Sequence, residues 1–365
     1  MTNIEKIGKI EVIALFITIG CNNIIINLPS ILLDFTGTGS WLNIIYITIL
    51  VLIFTLLICK FFKPFVDCDI LDVSEYLGKN FLKVIIGVLY IILFVMLPAI
   101  YLRYFSHNLQ MIYYNDIPLA FIMLFLLVPA IIASKHGLRA ISGANLIFIP
   151  IVSVGIFTLF FFAAKDFAWE NLFPIFGYGV KETFLTHITN VFGFTVLAYL
   201  FFIKPFLKSE DNFKTISIVT VVLHGIFLLV SIISLLMTFS FIPQIENNLA
   251  LHLLTRLIDF GKFLQRVDAI FVFIWILSIV SFLSFNLFLA ANIVKKLCNL
   301  SSSHCIVYPI SALVFSLAIS FKDISIIKNF FKYGYKFYSI FLIFIISFIV
   351  MLLGYLKKKK QGGYV

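Results

Sequence analysis

Ten stretches of about 20 apolar residues follow one another along this 365-residue chain, separated only by short polar connections. Wound as a helix, a run of that length spans the roughly 30 Å hydrocarbon core of a bilayer. In hydrocarbon every backbone N–H and C=O must find a partner inside the protein, and a helix satisfies that within one segment. The windows fall near residues 10–33, 41–62, 82–107, 117–134, 140–164, 183–207, 215–241, 267–294, 303–321 and 336–356, and are called spans 1 to 10 in that order. Only 12% of the residues are charged, about half the ~25% of a soluble domain. An all-α integral membrane protein of about ten transmembrane helices is therefore expected. Nothing interrupts the windows long enough to be a soluble unit, so residues 1–365 read as a single polytopic domain. The polar start Met1–Ile10 has no cleavable-signal pattern, and removal of a leader is not expected.

Orientation follows from the basic residues of the connections. With the N-terminus inside, the inner segments carry 17 Lys and Arg and the outer ones 9. Both termini are thus expected on the cytoplasmic side. The connection at 322–336 is the exception, since Lys322, Lys328, Lys332 and Lys336 face one Asp323 on the outside. The Lys357–Lys360 run reads as an inner stop and a contact for anionic lipid, not as a nucleic-acid site.

The most unusual stretch lies in span 1. Gly20-Cys21-Asn22-Asn23, running on to Asn27 and Pro29, places three asparagines, a glycine and a proline in an apolar window. Irregular backbone at that depth is tolerated only where protein covers it or it lines a cavity. Ten spans divide into two sets of five, about 10–164 and 183–356, and an odd number inverts one set against the other. That is the parity of the LeuT-type inverted repeat, in which the first helix of each set is broken around a midplane binding site. A matching break is expected about ten residues into span 6, where Gly193-Phe194-Thr195 is followed by Pro205. Glycine is also common in membrane helices, and the asparagines of span 1 are what favour a binding break. Half-helix termini offer donors to a carboxylate and acceptors to an amine without a charged side chain. The candidate ligand-binding residues are therefore Gly20, Cys21, Asn22 and Asn23 of span 1, and Gly193, Phe194, Thr195 and Val196 of span 6. Tyr101 of span 3 is a candidate wall, and Ser284 and Phe288 of span 8 complete the set.

Other features read as structural. Arg103 and His107 share a face of span 3 near its outer end, where snorkelling makes anchors of such residues more often than ligands. Ser278, Ser281 and Ser284 recur every three residues along span 8, fitting either a cavity wall or close helix packing. His187, His224, Asn145, Asn286 and Asn292 are expected to bond between helices. Residues 67–80 read as a short amphipathic helix ended at Gly78. A second such helix is expected where Ile245, Leu249, Leu253 and Leu257 recur every four residues. The five cysteines show no metal-ligand spacing, no catalytic motif is present, and neither a cofactor nor enzyme activity is expected.

Four segments in order resemble one family. They are Ile7 to Pro29; Leu71–Lys79 ahead of the Tyr90-containing span; Asn171-Leu172-Phe173-Pro174-Ile175-Phe176-Gly177-Tyr178-Gly179; and Phe263–Ile270, with Arg266, Asp268 and the following Trp275. The pattern is similar to that of the endospore germination permeases, the GerAB-type B subunits of spore germinant receptors, and covers nearly the whole chain. The resemblance implies a LeuT/APC-like fold of five-plus-five helices with helices 1 and 6 broken. It implies a subunit of the spore inner membrane that senses a small nutrient such as an amino acid. Its implied partners are the receptor's A subunit and lipoprotein C subunit. Many members carry an acid near positions 194–195, where this chain has Phe194-Thr195, so the proton or cation role of that acid is not carried over. A secondary transporter of amino acids or related solutes is the alternative reading.

Overall fold

The computed structural model describes residues 6–26, 28–209, 212–239, 254, 267–321 and 323–362. Helices occupy all ten windows. Span 1 is described over Lys9–Ile26 and Leu28–Thr36; span 2 is Ser40–Phe62; span 3 is the later part of Ile70–Tyr113. Spans 4, 5 and 7 are Leu119–Lys135, Leu138–Ala163 and Asn212–Thr238. Span 6 joins Val180–Phe184, a 3-10 stretch Thr186–Phe194 and Leu197–Ile203. Spans 8 and 9 are Val267–Leu297 and Val307–Ser320. Span 10 runs from Ile324–Asn329 through two π-helical stretches to Ser347–Lys360.

By length and apolarity alone, six helices among the described residues can cross a membrane, seven with the bent span 6. The remainder of the expected ten have physical reasons for falling short. Spans 4 and 9 are apolar but only 17 and 14 residues long, and the described helix of span 1 ahead of Asn27 is Lys9–Ile26. Leu28–Phe62 passes as one run of 35 residues, yet Gly37 at φ +58° turns the chain between its two parts.

In span 6 the segments Val180–Phe194 and Leu197–Phe206 meet at 43°, with Thr195 and Val196 between them, where the glycine pattern put the break. In span 1 the expected place of the interruption needs correction: Gly20, Cys21, Asn22 and Asn23 are helical, within Lys9–Ile26.

Span 8 is the best enclosed, with 72% of its apolar window buried against 28% for span 5. It packs on spans 1, 3, 4 and 5, while span 2 lies along span 7 and span 1 along spans 5 and 7. On the outer side the loop before span 6 docks on the span 1–2 turn. Gly177 at φ +55° is required there: a Cβ would lie 2.0 Å from the Thr36 carbonyl oxygen.

The side that carries the termini is stitched by polar contacts. Asp69 caps Ile70–Tyr113 in a reciprocal box with Asp72, which satisfies backbone donors of the first turn. The expected end of the short helix at Gly78 is a kink, Gly78 and Lys79 having non-helical angles inside the longer run. The buried Lys204 ammonium, just after span 6, donates to the carbonyls of Phe62, at 2.8 Å, and Phe65. Ile7 donates its N–H to Phe206 O at 2.8 Å and accepts from Lys208 N at 3.0 Å, a parallel bridge centred on Ile7 and Leu207. The expected helix over 245–257 and the Phe263–Arg266 part of the family pattern lie outside the described residues, Leu254 apart.

Candidate functional site

The two broken helices meet through small side chains. Asn23, buried in span 1, donates from Nδ2 to Thr195 Oγ1 of span 6 at 3.4 Å. Its Oδ1 accepts the Tyr101 hydroxyl of span 3. One asparagine thus ties three helices at the level of the span 6 break. Tyr101 is held in turn by Phe282 of span 8, stacked at 4.6 Å, and by Phe331 of span 10, edge-on at 5.1 Å. Removing the hydroxyl would orphan Asn23 Oδ1, which costs about 1–3 kcal/mol when buried. Tyr101→Phe is therefore expected to lower thermal stability by a few degrees, and an unchanged melting curve would mean that this bond contributes nothing.

Beside it lies an amide with no such partner. The Asn22 side chain is 0% exposed, and neither its Nδ2 nor its Oδ1 meets a hydrogen-bond partner among the described residues. Cys21, Val196 and Phe194 are buried as well.

A third link passes through span 7. His224 Nε2 lies 3.0 Å from the Gly193 carbonyl; a carbonyl only accepts, so Nε2 carries the proton. The ring also meets Phe194 edge-on at 5.1 Å. Its other nitrogen faces Gly20, where a Cβ would come within 2.6 Å. Gly20 is therefore a close-approach glycine, not a point of unwinding, and His224 is the interhelical bonder expected.

Two candidates are not brought to this cluster. Ser284 returns its hydroxyl to Val280 O of its own helix at 2.6 Å. Phe288 stacks on Phe285 and meets Phe206 edge-on at 5.7 Å; six residues beyond Phe282, it sits about 9 Å further along span 8. The sequence reading missed Phe282 and Phe331. With 44 phenylalanines in the chain, no pattern marks two of them as the clamp on Tyr101. It also missed Lys336, which was assigned to an outer connection. Lys336 is buried, its ammonium 4.0 Å from the Phe35 ring centre and 3.5 Å from Asn190 Oδ1. Asn190 continues to Asn43 Oδ1 at 3.0 Å, linking spans 6 and 2.

Towards the inner side, a cavity of about 610 Å³ opens between the 70–78 helix, the end of span 6 and the end of span 8. Lys296 crosses it, 2.8 Å from Asp69 and 2.5 Å from Asp72. Lys83 pairs with Glu75 at 2.8 Å nearby. Burial pushes the Asp69 carboxyl up to about 6; Lys296 pulls it down, and Asp72 adds to the rise. Among the described residues no three His, Cys, Asp or Glu side chains converge as metal ligands.

The cluster of neutral polar groups where two interrupted helices meet is what a small-solute site in a permease requires. The spore germination protein family model matches residues 6–326. The chain belongs to that family. Spore germination protein XB of Bacillus anthracis is 23% identical over 285 residues, covering 76% of this chain and 77% of that protein. Among solved structures, MhsT in complex with L-phenylalanine superposes with a TM-score of 0.64 at 14% identity, covering 95% of this chain and 97% of that one. A substrate-bound, outward-open Na⁺-coupled sialic acid symporter gives 0.63 at 10% identity, over 95% and 87%. The fold of this family member is thus the LeuT/APC-like one, five-plus-five helices with the first and sixth broken. It is an integral membrane protein with a germination permease-like role, in a family and fold of permeases and transporters rather than enzymes.

Proposed function

We propose that the chain is the nutrient-sensing, permease-like subunit of a spore germinant receptor, binding a small solute, an amino acid by preference, between spans 1, 3, 6 and 8. The observation that carries this reading is the orphaned amide of Asn22 beside the Asn23–Tyr101–Thr195 junction. Leaving a buried donor and acceptor unpaired costs about 1–3 kcal/mol for each group. A ligand carboxylate and amine would satisfy both at once. In this reading Cys21, Gly193, Phe194 and Val196 would wall the solute, and Gly20 would admit the His224 ring that holds the Gly193 carbonyl behind them. Ser284 and Phe288 stand nearer the inner end, on the path of a solute rather than at its seat. Binding would favour one arrangement of the broken helices, read out by the A subunit and the lipoprotein C subunit in the spore inner membrane, with both termini facing the core.

The test is Asn22→Ala in the complete receptor. The nutrient concentration that triggers germination should rise about tenfold or more, as expected for one lost polar contact to a charged ligand group. The empty purified protein should be as stable as the wild type or more so, because the orphaned groups are gone. A purely structural Asn22 would lose stability instead, and an unchanged dose response would remove it from the site. The alternative, a secondary transporter, draws on the likeness to two substrate-bound transporters over 95% of the chain. Saturable uptake by the purified chain alone in liposomes would favour it, whereas dependence on the A and C subunits would favour the receptor.

A further inference from the structure

We infer that the outer surface of spans 4, 5 and 8 holds a dedicated anionic phospholipid. A groove of about 700 Å³ runs between these helices, walled by Phe121, Phe125 and Val128 of span 4, Phe148 of span 5 and Ile276 and Val280 of span 8. A second groove of about 420 Å³ continues from the shared Val128 to Ile132, Lys135, His136 and Tyr308. The first is lined only by apolar side chains; the second ends at Lys135 and His136, and no acid lines either.

The dimensions fit one lipid. From Phe125 to Lys135 is ten residues, about 15 Å of helix, which is half the roughly 30 Å hydrocarbon thickness. One acyl chain of one leaflet therefore runs from the basic end to the midplane within the groove, filling space that a close-packed interior would not leave empty. At the basic end the Lys135 ammonium lies 5.6 Å above the Tyr308 ring, and the Lys135 carbonyl is bonded to His304 Nδ1 at 2.7 Å. The span 4 terminus is thereby fixed against span 9. His136 and Arg139 are exposed beside it. Charge complementarity selects a lipid phosphate without a compensating amine, such as phosphatidylglycerol, over a zwitterionic headgroup.

The test is native mass spectrometry of the full chain, purified with equimolar phosphatidylglycerol and phosphatidylcholine of matched chains. The wild type should retain phosphatidylglycerol in preference. Lys135→Gln with Arg139→Gln should lower that preference about thirtyfold, the expectation for two interfacial charges. Val128→Phe, which fills the junction of the grooves, should displace both lipids. Lys60→Gln with Lys63→Gln, which removes equal charge from the exposed end of span 2, should change nothing. Equal retention of the two lipids by the wild type would overturn the proposal, and so would an equal loss in the span 2 variant. A photoreactive residue at position 125 that crosslinks to a protein in native membranes, and not to lipid, would also overturn it by placing a partner helix in the groove.

Discussion

Gly20→Ala, the addition of a single methyl group, is expected to be among the most damaging substitutions in the chain. The new Cβ would stand 2.6 Å from His224 Nδ1. The ring cannot simply swing aside, because Nε2 is bonded to the Gly193 carbonyl and the ring face meets Phe194. Displacing it adds overpacking of about 1–3 kcal/mol to an orphaned carbonyl at the span 6 break, worth about 1–3 kcal/mol more. The purified variant should therefore unfold many degrees lower, and nutrient-triggered germination should fail at normal protein abundance. His224→Ala alone should be milder. The double variant should recover at least about 1 kcal/mol relative to the sum of the singles, the coupling expected of side chains in contact. Additive effects, or a Gly20→Ala protein with normal stability and response, would show that spans 1 and 6 are not linked through His224.

Lys296→Gln should produce the second large effect, and one that depends on pH. Without the ammonium, Asp69 and Asp72 are left facing each other in a mostly buried corner. Breaking a buried pair from one side costs about 3–5 kcal/mol, reduced here to about 2 kcal/mol because the Lys296 side chain is 30% exposed. Asp69 sets the pH window. Its carboxyl titrates near 6 in the assembled protein against an ordinary 3.8. The assembled state thus binds the proton more tightly than an opened or unfolded one. Falling pH therefore adds stability from this group, starting near 6 and complete below 3.8; rising pH removes it through the same range. Acid should tighten the inner closure, opposite to the usual behaviour of an ion pair. The penalty of Lys296→Gln should accordingly be larger at pH 8 than at pH 5. Maleimide labelling of Asn292→Cys, a residue lining the same cavity, should accelerate in the Lys296→Gln background at pH 8. A pH-independent penalty would remove Asp69 from this role.

What could be read beforehand follows from where the physics is local. The ten windows were legible because the bilayer demands length and apolarity of each helix separately. The span 6 break was legible at Gly193–Thr195 because nothing nearby masks it. In span 1 the asparagines drew attention to Gly20–Asn23, whereas the backbone is helical at all four residues. Polar side chains mark where a helix has something to bond, not where its backbone yields. Asn23, Tyr101 and Thr195 could each be named from sequence, but their meeting depends on helix rotation, which single-chain hydropathy does not encode. Lys336 went astray for a related reason. A lysine at the edge of an apolar window looks exposed, and only tertiary packing shows it over the Phe35 ring.

The bridge between Ile7 and Leu207 has a mechanical consequence. It joins the chain just ahead of the inner half of span 1 to the chain just beyond the inner half of span 6, and Lys204 fastens that same corner to the end of span 2. The ends of the two helices are thereby tied through backbone hydrogen bonds. Spin labels placed at Gly8 and Lys208 should hold a fixed separation with and without solute, and a change in that distance would show that the bridge opens.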